Sequence, residues 1–410
     1  MRNSVLTDFE SAPFDIIDGD RGKNYPKQNE FSADGHCLFL SATNVTKSGF
    51  DFSDCQFISE QKDTILRKGK LHRGDVVLTT RGTIGNSGYY SDSVQYDHMR
   101  INSGMVILRC DIENILPVYL YHFLRSPSFF GQVNSLRSGV AQPQLPIRDM
   151  RKIKLPLPPL DVQSEISSFI SAYDDLIENN RRRIQLLEQA ARLLYKEWFV
   201  HLRFPGHEHV KIKDGIPEGW EDTYLPEVID VNPRTQLEKG KEVCYVPMSS
   251  LSETGMTSDV SKFERRTKHT NVKFKRNDVL LARITPCLEN GKTGFAYFLN
   301  DHEVACGSTE FIVLRGKKVS FAFTYCLARS YPFRGNAIKS MIGSSGRQRV
   351  QVSCFNEYKV PLPPSHLLEM FDETAFKCFE QIKVLMALID KLTKARDLLL
   401  PRLMNGEVAV

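Results

Sequence analysis

The sequence predicts an α+β fold: two globular domains joined by two long antiparallel coiled-coil helices, with an internal pseudo-two-fold repeat. Three observations predict it. Short words recur half a chain apart at a nearly fixed offset. Each half holds brief Val/Ile/Leu/Phe runs between Gly, Asn, Asp and Pro clusters, the pattern of strands and turns. Each half then ends in a long stretch whose apolar residues step by four and three, the period of a coiled-coil seam.

The repeat comes first because it sets the frame. "KLPLPP" (154–159) returns as "KVPLPP" (359–364), "HRGDVVL" (72–78) as "KRNDVLL" (275–281), and "YHFLRS" (121–126) as "YCLARS" (325–330). "MVILR" (105–109) returns as "FIVLR" (311–315), and Phe39 and Gly49 match Tyr245 and Gly255. The offset stays between 203 and 206, which chance does not maintain over five matches. A period this long means two copies of a domain with its connector.

Runs such as "DVVLTT", "GMVILR" and "EFIVLR" predict strands, and "PVYLYHFLRS" and "SFAFTYCLARS" predict helices, so each long segment is an α+β domain. After the first proline word the seam runs through Ile170, Tyr173, Ile177, Asn180, Ile184 and Leu187. After the second, Ile382, Leu385, Ile389 and Leu392 take the same positions 205 residues on. Asp161 and Ser365 are the expected N-caps, and Pro401 is expected to kink the second helix. Each helix covers about 40 residues, or about 60 Å, which favours the other helix as its partner over packing on its own domain alone. If the domain between them has neighbouring termini, the second helix runs back along the first. Asn180 would then fix the register at some cost in stability.

Composition narrows the function classes. A chain of 410 residues with 41% hydrophobic and 25% charged residues reads as an ordinary soluble globular protein. No apolar run reaches membrane-spanning length, and the first residues show no export pattern. Nine Cys, none in a C-x-x-C pair, argue for a reducing cytoplasm and against a disulfide framework or a zinc site. The net charge is +5. Residues 1–155 contribute +2 and residues 205–360 contribute +5, whereas 156–204 and 361–410 contribute −1 each.

Catalytic motifs are missing where they would be expected. "ENGKTG" (289–294) resembles a phosphate loop, but Pro286 stands where the Walker pattern needs Gly. "VNPR" (231–234) is not the motif of an amino-methyltransferase. The ten His have no metal-ligand spacing, and no nucleophile–base pair or carboxylate cluster is evident. What the chain offers is Gly-rich loops bearing Arg, Lys, Asn, Gln and Thr. Such loops bring backbone close to phosphates, and their side chains make bidentate contacts to base edges. In the first domain the candidates are Arg21, Lys23, Asn24, Tyr25, Arg81, Thr83, Asn86, Arg137, Gln142 and Gln144. In the second they are Arg283, Thr285, Asn290, Lys292, Ser344, Arg347, Gln348 and Arg349. Any one loop alone is equally well an ordinary solvated turn.

Taken together, these features resemble the specificity subunit of a type I restriction–modification system over essentially the whole chain. The resemblance is carried by the two domains, the "PLPP" boundaries, the helix "LDVQSEISSFISAYDDLIENNRRRIQLLEQAARLLYKEWF", the restart "GIPEGWE" and the close "LLLPRLMNGEV". The segments "DGDRGKNYP" and "RITPCLENGK" also look like two recognition-domain subtypes of that family. The first domain lacks the Pro-x-Gly-Trp opening seen at Pro217, Gly219 and Trp220. The second helix lacks the Gln-Ser-Glu stretch of the first. The resemblance implies target-recognition domains at 1–158 and 205–362 and spacer helices at 159–204 and 363–410. It implies that each domain reads one half of an asymmetric split DNA site and that the helices measure the gap. Two modification subunits would dock on the helices and carry S-adenosylmethionine and adenine-N6 chemistry. Restriction subunits would bring ATP, Mg and cleavage, leaving no cofactor and no catalysis in this chain. A self-contained DNA modification enzyme and a coiled-coil adaptor are the alternatives.

Overall fold

The computed structural model describes residues 5–137, 143–238, 240–268, 271–344 and 346–408. The chain forms two compact units, residues 1–178 with 390–410 and residues 179–389.

In the first unit the chain passes through β1 (Val5–Asp8), β2 (Phe14–Asp18), β3 (Cys37–Leu40), β4 (Val45–Thr46), β5 (Gly49–Phe50) and β6 (Phe57–Ile58). Helix α1 (Glu60–Ile65) precedes β7 (Val76–Thr79), β8 (Ser87–Tyr89), β9 (Met99–Ile101) and β10 (Met105–Cys110). Then come α2 (Pro117–Leu124), α3 (Pro127–Leu136), α4 (Ile147–Met150), β11 (Lys154–Leu157) and the long α5 (Leu160–Tyr195). The central antiparallel sheet has the order β2-β10-β7-β8. Its strands read as unbroken apolar runs because both faces are covered. Val76, Leu78, Val106 and Leu108 join the helical side with Phe123 and Phe129, whereas Val77, Met105 and Ile107 join the sheet β6-β3-β9 with Leu38 and Met99.

The second unit repeats this plan through β12 (Ile212–Lys213), β13 (Ile216–Pro217), β14 (Glu221–Tyr224), α6 (Leu225–Val228), β15 (Ile229–Val231) and β16 (Val243–Val246). β17 (Glu264–Arg266), β18 (Val272–Lys275), β19 (Val279–Ala282), β20 (Thr293–Phe295), β21 (Val304–Gly307) and β22 (Phe311–Gly316) follow. Helices α7 (Phe321–Arg329) and α8 (Tyr331–Lys339), strand β23 (Lys359–Leu362) and helix α9 (Ser365–Met404) complete the chain. The central sheet is β15-β22-β19-β20, and β17-β16-β21-β18 lies on its second face.

The proline words sit on strands. Leu157 pairs with Val5 and Lys154 with Asp8, and Leu362 pairs with Glu221 and Lys359 with Tyr224. The last strand therefore runs antiparallel to β1 in the first domain and to β14, which follows the β12-β13 hairpin, in the second, so the helix leaves beside the strand that opens the domain's main fold. Helix α5 starts at Leu160, so Asp161 lies inside the first turn and is not the cap. Helix α9 starts at Ser365, again inside the helix, with Pro364 O accepting from Leu367 N and Leu368 N. Proline lacks the N–H that a helix start leaves unused, which suits it to this position. Helix α9 continues through Pro401, the expected kink, to Met404, with Leu400, Leu403 and Met404 buried.

Within the first unit the start of α5 meets the end of α9, as Ile166 and Ile170 share a core with Leu400, Leu403 and Met404. Within the second unit the end of α5 meets the start of α9, through Ile184, Ala191 and Tyr195 against Phe371, Ala375 and Ile382. The helices are thus antiparallel. Ile170, Ile177, Asn180, Ile184, Ile382 and Leu385 are buried, whereas Tyr173, Leu187, Ile389 and Leu392 are half-buried. Toward its C-terminus the buried face of α5 drifts onto Glu188, Tyr195 and Phe199. An uncoiled 3.6-residue helix drifts in this way against a 3.5-residue repeat. These helix ends also belong to the domain cores, so the seam is shared with the domains and is not a bare rod. Glu188 anchors α5 in the second unit: Tyr325 Oη donates to Oε1 at 2.7 Å and Met256 N to Oε2 at 2.8 Å. Beyond Tyr195 the helix widens, with His201 N donating to Lys196 O at 2.8 Å.

Candidate nucleic-acid interface

The residues that match between the halves are scaffold. Asp75 is buried and takes a forked pair of bonds from Arg109, at 2.9 and 2.8 Å. Asp278 takes the same fork from Arg315, at 2.7 and 2.7 Å. Each pair locks the turn before β7 or β19 to the neighbouring strand. The hydrogen bonds that Arg109 and Arg315 donate to Asp75 and Asp278 raise the pKa of the two guanidinium groups. These matched words fix where the unmatched loops emerge.

The loops converge on one backbone clamp in each unit. In the first, Thr80 N donates to Gly104 O at 2.7 Å and Leu145 N donates to Thr80 O at 2.9 Å. In the second, Arg283 N donates to Glu310 O at 3.0 Å and Val350 N donates to Arg283 O at 2.8 Å. The three positions correspond at offsets of 203, 206 and 205. The clamp gathers the loop after the third central strand, the turn before the second, and the segment leading into the last part of the domain. Sequence reasoning found the first and third of these segments and missed the turn at Gly104 and Glu310. Its only signal was that a turn precedes each "VILR"-type word.

The first unit brings most of its candidates to this clamp. Arg81 N reaches Gly104 O at 3.2 Å, and Arg81 forms a β-bridge with Gln144. Arg21 ties its own loop in by donating to Ser103 O at 3.3 Å and to Asp18 Oδ1 at 3.1 Å. Thr83 Oγ1 donates to Ala42 O at 3.3 Å. Gly85 has φ of +87°, and a side chain there would meet Phe130, so this loop needs glycine. Lys23 is exposed and Asn24 half-buried, whereas Tyr25 turns inward edge-on to Phe39 at 5.7 Å. Asn86 is buried, with Nδ2 donating to Val45 O at 2.9 Å, so it holds the fold and is not presented at the surface. Arg137 stands exposed at the end of α3. Gln142 lies outside the described residues.

In the second unit, Thr285 N donates to Gln348 O at 3.0 Å, and Ile284 bridges Arg349. Arg283 is turned inward: Nη2 donates to Val350 O at 3.3 Å and Nε is buried. Arg349 forks onto Glu310 at 2.7–3.0 Å. Asn290 Nδ2 donates to Glu253 Oε1 at 3.3 Å, and Lys292 Nζ stands 3.9 Å from the same oxygen. Ser344 and Arg347 are exposed, and Gln348 is half-buried. Among the described residues, Arg81, Arg137 and Arg347 make no ion pair, so their guanidinium groups are available. Among the same residues, no group of three His, Cys, Asp or Glu side chains is placed to hold a metal ion, and no helix is long and apolar enough to cross a membrane.

Residues 14–189 and 217–383 each match the type I restriction modification DNA specificity domain. The type I restriction enzyme MjaIX specificity subunit of Methanocaldococcus jannaschii is 24% identical over 360 residues, covering 82% of this chain and 78% of that one. The MjaVIII specificity subunit of the same organism is 23% identical over 411 residues, covering 97% and 92%. The S subunit of a type I restriction–modification system from M. genitalium shares the fold, with a TM-score of 0.52 at 15% identity, over 98% of this chain and 96% of that one. The chain belongs to the type I restriction–modification DNA specificity family, and it is a specificity subunit, which selects DNA and does not itself catalyse.

Proposed function

We propose that each globular domain, residues 1–158 and 205–362, reads one half of an asymmetric split DNA site through the loops gathered at its clamp. The observation that carries this reading is the repetition of the clamp with different loop residues around it. Among the candidates, Arg81 and Arg347 are the base readers, because both are exposed, unpaired and, unlike Arg137 at the end of α3, within a few residues of a clamp residue, Thr80 or Val350. Arg283 instead braces the clamp. Arg349 and Arg21, already ion-paired, shape the loops.

The spacer helices, 159–204 and 363–410, set the gap between half-sites and dock two modification subunits. Their outer faces support this. In the second unit Leu186, Leu193 and Val200 lie seven residues apart on α5 and its widened end, and are 64%, 58% and 38% exposed. In the first unit Phe169 and Leu176 are likewise seven apart and 38% and 53% exposed. Apolar residues at heptad spacing outside the seam are what a partner helix would cover. The modification subunits hold S-adenosylmethionine, and restriction subunits bring ATP and Mg, all in the cytoplasm.

The test is a methylation assay on a randomised target library, using the chain assembled with its modification subunits. R347A and R81A should each relax one position by about 1–3 kcal/mol, in different half-sites. Relaxation of the same half-site by both variants would show that the domains do not read independently.

A further inference from the structure

The two units differ on one sheet face. In the first, the outer face of β6-β3-β9 is plugged. Phe39 is buried under Tyr25 and Phe31, with ring centroids 5.7 and 5.4 Å away. Arg100, opposite Phe39 across the sheet, is buried and ion-paired to Asp63 of α1, which also takes Lys70.

In the second unit the corresponding face is less covered: Cys306 and Val243 are buried, but Tyr245 and Lys273 are half-buried and Lys275 is exposed. Tyr245 takes the place of Phe39, Cys306 that of Arg100 and β17 that of β6, and among the described residues no helix stands between β17 and β18 where the first unit makes α1. Lys273 is opposite Cys306, as Lys70 is opposite Arg100, but among the described residues no counterpart of Asp63 accepts its charge. Glu264, Tyr245, Cys306 and Lys273 form one row across the sheet, and Arg266 and Lys275 lie two residues along on the same face. The Arg266 guanidinium lies 3.3 Å from the Tyr245 ring centroid and pairs with Glu264 at 2.6 Å. Among the described residues no carboxylate is within ion-pairing distance of Lys268, Lys273 or Lys275.

The charge is concentrated here. Residues 262–276 hold seven Lys/Arg against one Glu, and without them residues 205–360 would carry a net −1. The face is also continuous with the clamp: Ser308 N donates to Val246 O at 3.1 Å, one residue beyond Tyr245, and opens the turn that ends in Glu310.

We propose that this face, with Lys273 and Lys275 on its edge strand, binds the phosphate backbone of duplex DNA beside the second unit's half-site, a contact the first unit has closed. Resting on the half-site reading above, it assigns backbone contact and its salt dependence chiefly to one domain. Cations that release condensed counterions set the salt slope without reading sequence.

The experiment measures affinity against salt for the complex with its modification subunits, comparing parent, K273Q/K275Q and the charge-conserving K273R/K275R, on target and on random duplex. The Gln pair should lower the slope by about 1.8, so that a fourfold rise in salt weakens the parent about 12-fold more than the variant. Base preference should be unchanged, and the Arg pair should keep the parental slope. K275Q alone, on the edge strand, should lower the slope by about 0.9 and guards against misfolding of the double variant. An unchanged slope, or an altered base preference, overturns the assignment. A parent complex without sequence preference would instead sink the half-site reading, while the slopes on random duplex still decide the sheet face.

Discussion

Asp174 ties three elements of the first unit together, and its replacement by Asn should loosen the end of α9. Its Oδ2 accepts from Arg125 Nη1 at 2.6 Å, and its Oδ1 accepts from Arg396 Nη1 at 2.6 Å. Arg125 follows α2, Asp174 lies on α5 and Arg396 on α9. The three side chains are only 16%, 23% and 16% exposed. Burial alone would raise the Asp174 carboxyl, but the two guanidinium groups outweigh it and hold the pKa below the usual range. Asn keeps the shape and removes the charge. Charge-assisted bonds contribute about 1.5–3 kcal/mol each. With partial exposure the lower end applies, giving about 3 kcal/mol for the two. Hydrogen exchange in residues 397–404 reads this locally. A cycle of D174N, R396M and the double variant should show a coupling of about 1–2 kcal/mol. Additive single effects, or unchanged exchange in 397–404, would refute the bridge. Because the folded pKa is depressed, the bridge contributes fully above the unfolded value near 4 and is lost as pH falls through the lower folded value.

Two further outcomes are expected. His122 is buried beside Ser171 Oγ at 3.1 Å, and desolvation lowers its pKa to about 4. The unfolded chain therefore binds the extra proton between about pH 6.5 and 4, and the first unit should lose about 3 kcal/mol across that window. H122N should flatten that part of the profile in urea unfolding at pH 7 and pH 4.5, and an unchanged profile would mean the imidazole is not what titrates. Inserting seven residues after Asn180 and seven after Leu385 lengthens each helix by about 10 Å. The methylated gap should grow by about three base pairs, and an active variant that keeps the old gap would rule the helices out as its measure.

Repetition made the architecture legible in the sequence. "HRGDVVL" and "KRNDVLL" recur because Asp75 and Asp278 each lock an arginine from the next strand, a fork that tolerates little change. Heptad spacing marked the buried ends of the helices but not the drift onto Glu188 and Phe199, since a 3.5-residue count assumes supercoiling throughout. Side-chain roles in the loops were least legible. Arg283 and Arg347 are the same residue type in similar Gly-rich settings, yet only the structure shows one folded onto Val350 O and the other exposed. Asn86 misled for the same reason, its partner being the carbonyl of Val45, 41 positions away. The basic surplus of residues 205–360 was visible as charge, but its meaning depends on Asp63, which pairs with Lys70 in one unit and has no equivalent beside Lys273 among the described residues of the other.

The pairing of β1 with β11 and of β14 with β23 has a genetic consequence. Between β11 and α5, and between β23 and α9, no strand ladder is cut, because β1 already holds β11 and β14 already holds β23. A crossover in the DNA encoding either proline word, together with one ahead of the domain, would transplant a self-closed module. The helix that receives it would need only the few contacts at its own first turns. Near-identical wording at 154–159 and 359–364 marks the same boundary in both halves. If each domain reads its own half-site, as proposed, such an exchange would replace one half-site and leave both helices unchanged.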